Sequence, residues 1–449
     1  MFRRIHPAMT QPTALPSHLD VAVIGAGAAG VAAARRLMRA GLSVGLLEAR
    51  DRIGGRAHTV DHRMTEHRGG SRDLALDLGC GWLHSADENG LAAMAREAGF
   101  VLDETPPPWR TQAFNMGLGA GEQTAFAEAF AAFDARVSEA AAKGEDRPAA
   151  DLFELASAPD GRWNARMDAI SGALNGARFA EVSTLDYDAY RDTGVNWRVT
   201  EGYGRLVASL GEDLPVVLDC PVSHIDRSGP TLRLRTGKGV VTARAVVLTV
   251  PTSLIASETI RFDPPLAALA EAAAGVPLGL ASKLHMMVEG ADDFPKDSQL
   301  WGRTDTAETG GYHLRPFGRP MIEAWFGGDL AWGLEGQGEA AFFDFAAQEL
   351  VSLLGSGFRR RLTPVATSMW GAEPWSRGAW SHCLPGHGGD RARLKSPIED
   401  RIFIAGEATA EAFYGTAHGA WMEGGRAAVE AIAALGLDRR DSEPREAER

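Results

Sequence analysis

The stretch "VAVIGAGAAG", residues 21–30, is an apolar run that leads into three glycines. The run predicts a buried β-strand, and the alanine-rich residues 28–40 that follow predict a helix. Gly25 would permit the tight turn between them, Gly27 would let a pyrophosphate approach the backbone, and Gly30 would let helix and strand pack closely. The phosphates would then meet free amides at the positive end of the helix. The stretch therefore predicts a dinucleotide-binding βα unit.

The residues after this unit favour a flavin nucleotide. Glu48 ends a second predicted strand, where its carboxylate can accept hydrogen bonds from both hydroxyls of an adenosine ribose. The stretch "EARDRIGGRAHT", residues 48–59, then places Gly54, Gly55 and Arg56 in a second flexible loop. Arginine offers fixed donors to phosphate, so this loop suits a large, permanently bound flavin nucleotide.

Length and composition narrow the class of protein. A chain of 449 residues is longer than one hydrophobic core usually serves, so we expect two domains. A formal net charge of −13 makes nucleic acid an unsuitable partner, and the absence of any long uncharged apolar run predicts no membrane span. Only three cysteines are present, far apart in the sequence, which predicts no disulfide framework and a reducing cytoplasmic location.

Several stretches, in order, resemble the flavin-containing amine oxidase family, which includes monoamine oxidases, polyamine oxidases and lysine-specific histone demethylases. The resemblance covers residues 20–436, and within the family the motifs are most similar to those of polyamine oxidases. After the glycine-rich opening, the matching stretches are "LDLGCGWLH" (76–84), "VTEGYGRLVASL" (199–210), "VVLTVPTSLI" (246–255), "IRFDPPL" (260–266) and "RIFIAGEATAEAFYGTAHGAWMEGGRAA" (401–428).

The resemblance implies an α/β fold with two domains. The first is a Rossmann-type FAD-binding domain built from separated segments, and the second is a mixed α+β substrate domain. We expect a disordered leader and a charged tail at the two ends. The predicted limits are 1–17 for the leader, 18–85, 200–282 and 386–436 for the FAD-binding domain, 86–199 and 283–385 for the substrate-binding domain, and 437–449 for the tail.

Lys283 is the leading candidate for the chemistry. In "LGLASKLHMMVE", residues 278–289, period-two alternation puts Leu284 and Met286 on one face of a strand and Lys283 and His285 on the other. Burying a lysine in such a strand is costly unless its ammonium has partners or its pKa falls. By resemblance, Lys283 matches the family lysine that holds a water against flavin N5 and assists the reaction of reduced flavin with oxygen.

Further candidates come from the resemblance alone. Ala379 stands where monoamine oxidases carry the cysteine that bonds to the flavin, which implies non-covalent FAD, and Cys383 lies out of register with that position. Trp380 matches one wall of the family's aromatic cage. Phe413 aligns best with the second wall, and Tyr414 lies one place off.

A loop upstream adds one more candidate. His84, in "GWLH", resembles the histidine that faces the substrate channel in polyamine oxidases, although a histidine satisfied by backbone hydrogen bonds remains an alternative.

The glycine loops and the resemblance together give a set of expected FAD contacts. They are Gly25, Gly27, Ala28, Ala29, Gly30, Glu48, Ala49, Arg50, Gly54, Gly55, Arg56, Gly79, Cys80, Gly81, Trp82, Val222, Trp375, Gly406, Glu407, Ala417 and Met422. No metal site is predicted, because the histidines near residue 60 sit in an Arg/Gly-rich stretch without a carboxylate partner.

The resemblance implies FAD-dependent oxidation of a primary or secondary amine to an imine and aldehyde, with reduction of O2 to H2O2. Acidic residues in the substrate region favour a di- or polyamine, although such a run can also be a solvated face. They are Glu181, Asp186, Asp188, Asp192 and Glu201.

Three other functions stay open. An L-amino acid oxidase would need an arginine for the substrate carboxylate, which Arg178, Arg191 or Arg315 could supply. A related flavin desaturase is disfavoured by the combination of Lys283 and Trp380. The third alternative is a flavoprotein that no longer catalyses a reaction and serves as a binding scaffold.

Overall fold

The structure is a computed structural model that describes residues 15–65 and 70–436. Most of the leader and all of the tail predicted above lie outside these residues. The strands, in chain order, are β1 (His18–Ile24), β2 (Val44–Leu47), β3 (Thr59–Thr65), β4 (Ser71–Asp77), β5 (Leu102–Asp103), β6 (Arg198–Val199), β7 (Val216–Val217), β8 (Val222–Asp226), β9 (Leu232–Thr236), β10 (Gly239–Leu248), β11 (Arg261–Asp263), β12 (Leu278–Gly279), β13 (Ala281–Val288), β14 (Ser298–Trp301), β15 (Gly311–Leu314), β16 (Met321–Gly327), β17 (Leu362–Thr367), β18 (Trp380–Ser381) and β19 (Ile402–Ile404).

The helices connect and cover these strands. In chain order they are α1 (Ala28–Arg39), α2 (Gly90–Glu97), α3 (Ala120–Ala142), α4 (Asn164–Asn175), α5 (Thr184–Ala189), α6 (Tyr203–Ser209), α7 (Thr252–Ala256), α8 (Ala267–Ala274), α9 (Gly328–Gln337), α10 (Glu339–Leu354), α11 (Asp390–Lys395) and α12 (Ala417–Ala434). Within the two described stretches of chain, none of these helices is both long and apolar enough to cross a membrane.

The larger sheet is built around β1. Val21, Ala22 and Val23 have no exposed surface, as expected for a central strand of a parallel sheet covered on both faces. The strand order is β11-β8-β9-β10-β1-β2-β7, and β19 pairs in parallel with the end of β10. Because β1 and β2, β7 to β11, and β19 are far apart in the chain, separated segments build this sheet, as predicted.

The second sheet carries Lys283. Its order is β14-β15-β16-β13-β17, so β13 lies between β16 and β17 and pairs antiparallel with both. Leu284 and Met286 point into an apolar core shared with α10, where Phe342 is fully buried. The opposite face of β13 is also covered, since Lys283 and His285 are each only 3% exposed. The predicted α/β fold with a Rossmann-type domain and a mixed second domain is confirmed; the exact domain limits stay a prediction.

Helices α3, α4 and α5 contribute to another apolar cluster, which lies beside the second sheet. Phe133 of α3 is fully buried and contacts the rings of Phe153, Phe179 and Tyr187. One face of α3 and one face of α4 remain uncovered by this cluster and turn toward the space between the two sheets. These two helices therefore form a wall of the site described next.

Candidate active site

The glycine turn has the geometry that its sequence predicts. Gly25 has φ +101°, in the region that favours glycine. A Cβ on Gly30 would lie 1.8 Å from the carbonyl oxygen of Gly25, so only glycine permits this approach of helix and strand. Gly27 pairs with Gly54, which brings the two glycine loops together. The amides at the start of α1 have no side-chain cap, so they are free to bind an anion.

Glu48 lies beside this turn and is 2% exposed. Its Oε2 accepts a hydrogen bond from the Ala26 amide at 2.6 Å, and its Oε1 accepts one from the Arg50 amide at 2.9 Å. These two hydrogen bonds fix the carboxylate of Glu48 at the end of β2. Each of its oxygens keeps a lone pair that can accept a further hydrogen bond from a ligand. The position suits the ribose contact that the sequence predicts.

Arg50 and Arg56, the two arginines among the expected FAD contacts, already have partners within the protein. Arg56 donates from Nη1 to the Ala379 carbonyl oxygen at 2.7 Å and to Oε1 of Glu407 at 2.8 Å. Arg50 forms an ion pair with Glu373, which also places the guanidinium within 3.6 Å of Glu48. The arginines thus tie the second glycine loop to later segments of the chain.

One cavity of about 1020 Å³ extends from the glycine loops to the second sheet. It is larger than a site for one small ligand needs. The predicted residues on its wall are Gly25, Gly27, Ala28, Ala29, Glu48, Ala49, Arg50, Gly54, Gly55, Arg56, Gly79, Cys80, Gly81, Trp82, His84, Val222, Lys283, Trp375, Trp380, Gly406, Glu407, Tyr414 and Ala417.

Three predicted residues do not line this cavity. Gly30 lies behind the wall, where it packs against Gly25. Met422 is 55% exposed on the outer side of α12. Phe413 packs against the ring of His418, with centroids 4.9 Å apart. Phe413 and Met422 thus do not line the cavity, and their contacts with FAD stay a prediction.

Lys283 has three partners inside the protein. Its Nζ lies 3.1 Å from Oε1 of Glu323, donates to the Asp77 carbonyl oxygen at 3.1 Å, and lies 4.3 Å from the centre of the Trp325 ring. A Cβ on Gly81 would lie 2.9 Å from the same Nζ, so the adjacent loop approaches Lys283 closely. These contacts hold a buried ammonium at the cavity wall.

Glu323 stabilises the charge on Lys283. Burial alone would raise the pKa of Glu323, but the Lys283 ammonium, followed by His285 and His313, lowers it to about 2. Burial lowers the pKa of His285, which lies on the same face of β13 as Lys283. Glu323 was missed by sequence reasoning because it lies on β16, whose pairing with β13 the sequence pattern does not reveal.

Trp380 and Tyr414 are two of the aromatic residues that line the cavity. The indole Nε1 of Trp380 donates to the Leu174 carbonyl oxygen at 2.8 Å, which fixes the ring against the end of α4. The Tyr414 hydroxyl donates to the Asp186 carbonyl oxygen at 3.0 Å, and the Arg391 guanidinium lies 4.0 Å from the centre of its ring. Of the two aromatic residues considered for the second wall, Tyr414 is therefore the one at the cavity.

His84 lines the cavity. Its Nδ1 is 2.8 Å from Oδ1 of Asn196 and 3.8 Å from Oδ2 of Asp192. Burial would raise the pKa of Asp192, but the hydrogen bond with His84 and the Gly194 amide lower it to about 2. The alternative of a histidine satisfied by backbone atoms alone is not observed, since both partners of this ring are side chains.

The acidic residues of the substrate region divide into two groups. Asp188 and Asp192 line the cavity, and so does Asp134 of α3, which the sequence did not single out. Asp186 instead forms a fully covered ion pair with Arg391. The remaining two, Glu181 and Glu201, do not line the cavity.

The three arginines considered for a substrate carboxylate lie elsewhere. Arg178 pairs with Asp329, Arg315 pairs with Asp292, and Arg191 lies over the Phe413 ring. Arg166 of α4 lines the cavity instead, and sequence reasoning missed it because a single arginine in a helical stretch carries no distinguishing signal.

The family model described as flavin containing amine oxidoreductase matches residues 28–432. Polyamine oxidase 4 of Oryza sativa subsp. japonica is 29% identical over 451 residues, which cover 92% of this chain and 88% of that protein. Lysine-specific histone demethylase 1 homolog 2 of Arabidopsis thaliana is 27% identical over 92% of this chain and 58% of its own length.

A solved structure of putrescine oxidase with putrescine bound superposes with a TM-score of 0.72 at 20% identity, over 93% of this chain and all of that chain. This similarity shows a shared fold. The chain belongs to the flavin-containing amine oxidoreductases, and it is a flavin-dependent amine oxidoreductase.

Proposed function

We propose that this protein binds FAD without a covalent bond and oxidises an aliphatic di- or polyamine, with O2 as electron acceptor and H2O2 as product. The observation that carries the proposal is the continuity of one cavity from the glycine turn to Lys283 and Trp380. A nucleotide and an amine could therefore share this space with their reactive ends adjacent.

The residues present fit FAD. The uncapped start of α1 and the paired glycine loops offer amides for a pyrophosphate, and the carboxylate of Glu48 retains acceptor capacity for a ribose. Ala379 lines the cavity where a covalently bonding cysteine would stand, and Cys383 is buried away from it. Cys80 does line the cavity, but burial raises the pKa of its thiol to about 12, which disfavours the reactive thiolate.

Bound FAD would supply the two-electron acceptor for the amine, and O2 would accept the electrons from the flavin in turn. The protein's part is to bind and orient the substrate. Trp380 and Tyr414 restrict the approach of the amine, and the ion pair with Glu323 holds the side chain of Lys283 in place at the wall. The reacting amine must be neutral because an ammonium has no lone pair to support an imine. An alkyl amine has a pKa of about 10.4, so the oxidation rate should rise between about pH 6 and 9.

Three carboxylates support a substrate with a second ammonium. Asp188 accepts a hydrogen bond from Ser138 at 2.5 Å, Asp134 accepts one from Tyr187 at 3.0 Å, and Asp192 is held anionic by its hydrogen bonds. They lie on the cavity wall together with Tyr190, whose ring contacts Tyr414. A distal ammonium could pair there while a nearer nitrogen reacts.

Oxygen uptake and peroxide formation test the proposal. We expect turnover with α,ω-diamines and polyamines that exceeds turnover with aromatic monoamines and L-amino acids. Asp188→Asn should lower kcat/KM for a diamine by about ten-fold relative to the n-alkylamine of the same length, because one charge-assisted contact is lost. Glu181→Gln, an exposed change outside the cavity, is the matched control.

Two results would contradict the proposal. Turnover restricted to L-amino acids would show that the substrate is not a di- or polyamine. Equal effects of Asp188→Asn on diamines and alkylamines would show that Asp188 does not bind the distal ammonium.

A further inference from the structure

The cavity has two ends of opposite charge, and α3 runs along both. Its lining side chains recur with helical spacing on one face, from Phe126 through Phe130 to Asp134 and Ser138. At 1.5 Å per residue, about 12 Å separates Phe126 from Asp134 along the helix. Asp134 and Asp188 lie toward one end of this face, where Ser138 donates a hydrogen bond to Asp188. Arg166 lies at the other end, with its guanidinium 4.6 Å from the centre of the Phe126 ring.

Arg166 is buried without a hydrogen-bond or ionic partner among the described residues. It is 6% exposed, its Nε is covered and has no hydrogen-bond partner, and its guanidinium forms no ion pair with any residue of 15–65 and 70–436. Burial lowers its pKa to about 10, so it remains charged at neutral pH. A buried charge without a counter-ion is costly, and no carboxylate among the described residues pairs with this one.

The surroundings of Arg166 hold its guanidinium in place without neutralising it. The Phe126 ring lies on one side, and the centre of the Trp301 ring is 5.7 Å away. Gln123, which also lines this end, is occupied by hydrogen bonds to Asn115 and Leu118. Aromatic faces favour the cation and keep the planar fork in place, and that fork matches a carboxylate.

The distance from Arg166 to the aromatic wall sets the length of a suitable ligand. Both Arg166 and Leu174 belong to α4, and the carbonyl oxygen of Leu174 accepts the hydrogen bond from Trp380. Their separation of eight positions corresponds to about 12 Å along the helix axis. A ligand whose nitrogen lies at the wall could therefore reach Arg166 with an extended arm.

We propose that Arg166 binds a carboxylate carried on one arm of the amine substrate, so that the enzyme acts on amines bearing a terminal carboxylate. This inference rests on the proposed amine oxidation. The inference also predicts a selectivity between substrate arms of different charge. The Arg166 guanidinium would repel a cationic arm, which the cavity would accommodate only toward Asp134 and Asp188.

The test uses the holoenzyme and three matched probe series of increasing chain length: ω-amino carboxylates, α,ω-diamines and n-alkylamines. At lengths that reach Arg166, we expect kcat/KM for the amino carboxylate to exceed that for the alkylamine by about ten-fold or more. Arg166→Met should reduce this ratio by a similar factor. Arg166→Lys should restore only part of it, because lysine keeps the charge but not the fork.

Arg162→Met is the matched control. Arg162 also lies over a tryptophan face, with its guanidinium 4.4 Å from the centre of the Trp163 ring, but it does not line the cavity. Arg162→Met should leave the ratio of kcat/KM for the amino carboxylate to kcat/KM for the alkylamine unchanged. Removal of an unpaired charge should not lower the Tm of Arg166→Met, whereas a fall in Tm with no change in the ratio would assign Arg166 a structural role only.

A binding measurement separates this inference from the proposed function. Alkanoates of matched length should raise the Tm of the wild-type holoenzyme and not that of Arg166→Met. If amines reduce the flavin but carboxylates give no advantage in rate or Tm, the inference is overturned and amine oxidation stands. If no amine reduces the flavin, the proposed function fails, and the alkanoate shift still reports on Arg166.

Discussion

At the scale of single residues, the pair of Lys283 and Glu323 is the most consequential contact of the site. Both side chains are covered, with exposed fractions of 3% and 15%, and each is the nearest opposite charge to the other. Replacing one partner leaves a buried charge without a counter-ion, which typically costs roughly 3–5 kcal/mol. Replacing both removes that penalty.

We therefore expect a strongly non-additive mutant cycle. Lys283→Met and Glu323→Gln should each lower the free energy of unfolding by roughly 3 kcal/mol at pH 7, and the double variant should lose less than either single variant. Urea unfolding measures the three differences. Simple addition of the two single effects would show that the ion pair does not stabilise the fold.

The same pair predicts a dependence on pH. The pKa of Glu323 falls from its ordinary value of 4.5 to about 2 in the folded protein. A lowered acid pKa stabilises the fold above the ordinary value, and the stabilisation is lost as the pH falls from 4.5 toward 2. The stability gap between wild type and Glu323→Gln should thus be constant from pH 7 to 5 and shrink by about 1.4 kcal/mol per unit below pH 4.5. A gap that grows in acid would contradict this assignment.

Sequence reasoning reached Lys283 but not its partners. The alternation around Lys283 predicts a buried ammonium that needs stabilisation, and the structure supplies it. Glu323 lies on a different strand, and the register between strands depends on packing that no local pattern encodes. Arg166 and Asp134 were missed for a similar reason, because their proximity to the cavity depends on how α3 and α4 pack.

At the scale of elements, the contact between α1 and α12 depends on one glycine. A Cβ on Gly424 would lie 2.0 Å from the carbonyl oxygen of Ala29, whereas a Cβ on Gly425 would meet nothing within 4 Å. The two adjacent glycines of this motif therefore differ in their surroundings, and only Gly424 lies in the helix contact. Successive helical residues point about 100° apart, so only one of two neighbours can face the same partner.

This difference provides a matched pair of variants. Gly424→Ala should lower the free energy of unfolding by about 1–3 kcal/mol and weaken FAD binding, because Ala29 belongs to the cavity wall. Gly425→Ala should raise stability by about 0.5–1 kcal/mol, because alanine is the better helix former. Thermal unfolding and flavin content measure both, and equal effects at the two positions would refute the packing argument.

Two other residues of this motif also differ from expectation, Met422 on α12 and Tyr414 in the turn before that helix. Met422 lies in the matching motif but faces outward from α12, and Tyr414 rather than Phe413 faces the cavity. A motif aligns residues along the chain, while a shift of one position changes which side chain faces the site. The βα unit at the N-terminus was predictable because local geometry requires glycine at Gly25 and Gly30.

At the scale of the whole molecule, a buried ion pair joins distant parts of the chain. Asp186 accepts hydrogen bonds from Nε and Nη2 of Arg391 at 2.6 Å and 2.9 Å, and from the Cys383 amide at 2.8 Å. Both charged side chains are 2% exposed. The nearby Arg391 lowers the pKa of Asp186 although burial would raise it. Since Tyr414 contacts both residues, the pair also positions the aromatic wall.

Asp186→Asn should lower the free energy of unfolding by roughly 3–5 kcal/mol, because it leaves the buried Arg391 without a counter-ion. Asp344→Asn is the control, since Asp344 pairs with Arg359 on the surface and such pairs contribute about 0–1 kcal/mol. Denaturant titration distinguishes the two. A small effect at Asp186 would show that this pair is not a structural link between the parts it joins.

The acidic run that contains Asp186 illustrates what the whole fold adds. The sequence presents Asp186, Asp188 and Asp192 as equivalent candidates for cation binding. In the folded protein the first is neutralised by Arg391 and the other two line the cavity. The presence of a substrate-side acidic cluster could thus be predicted, but its division between structure and site could not.

Anaerobic mixing of the purified holoenzyme with an α,ω-diamine, followed by flavin absorbance, tests the central claim most directly. The account predicts that the oxidised flavin bleaches without oxygen, and that admission of O2 restores its absorbance with release of H2O2. It also predicts that FAD enters the supernatant when the protein is denatured. A flavin that no amine reduces, or a preparation that neither contains nor takes up FAD, would contradict it.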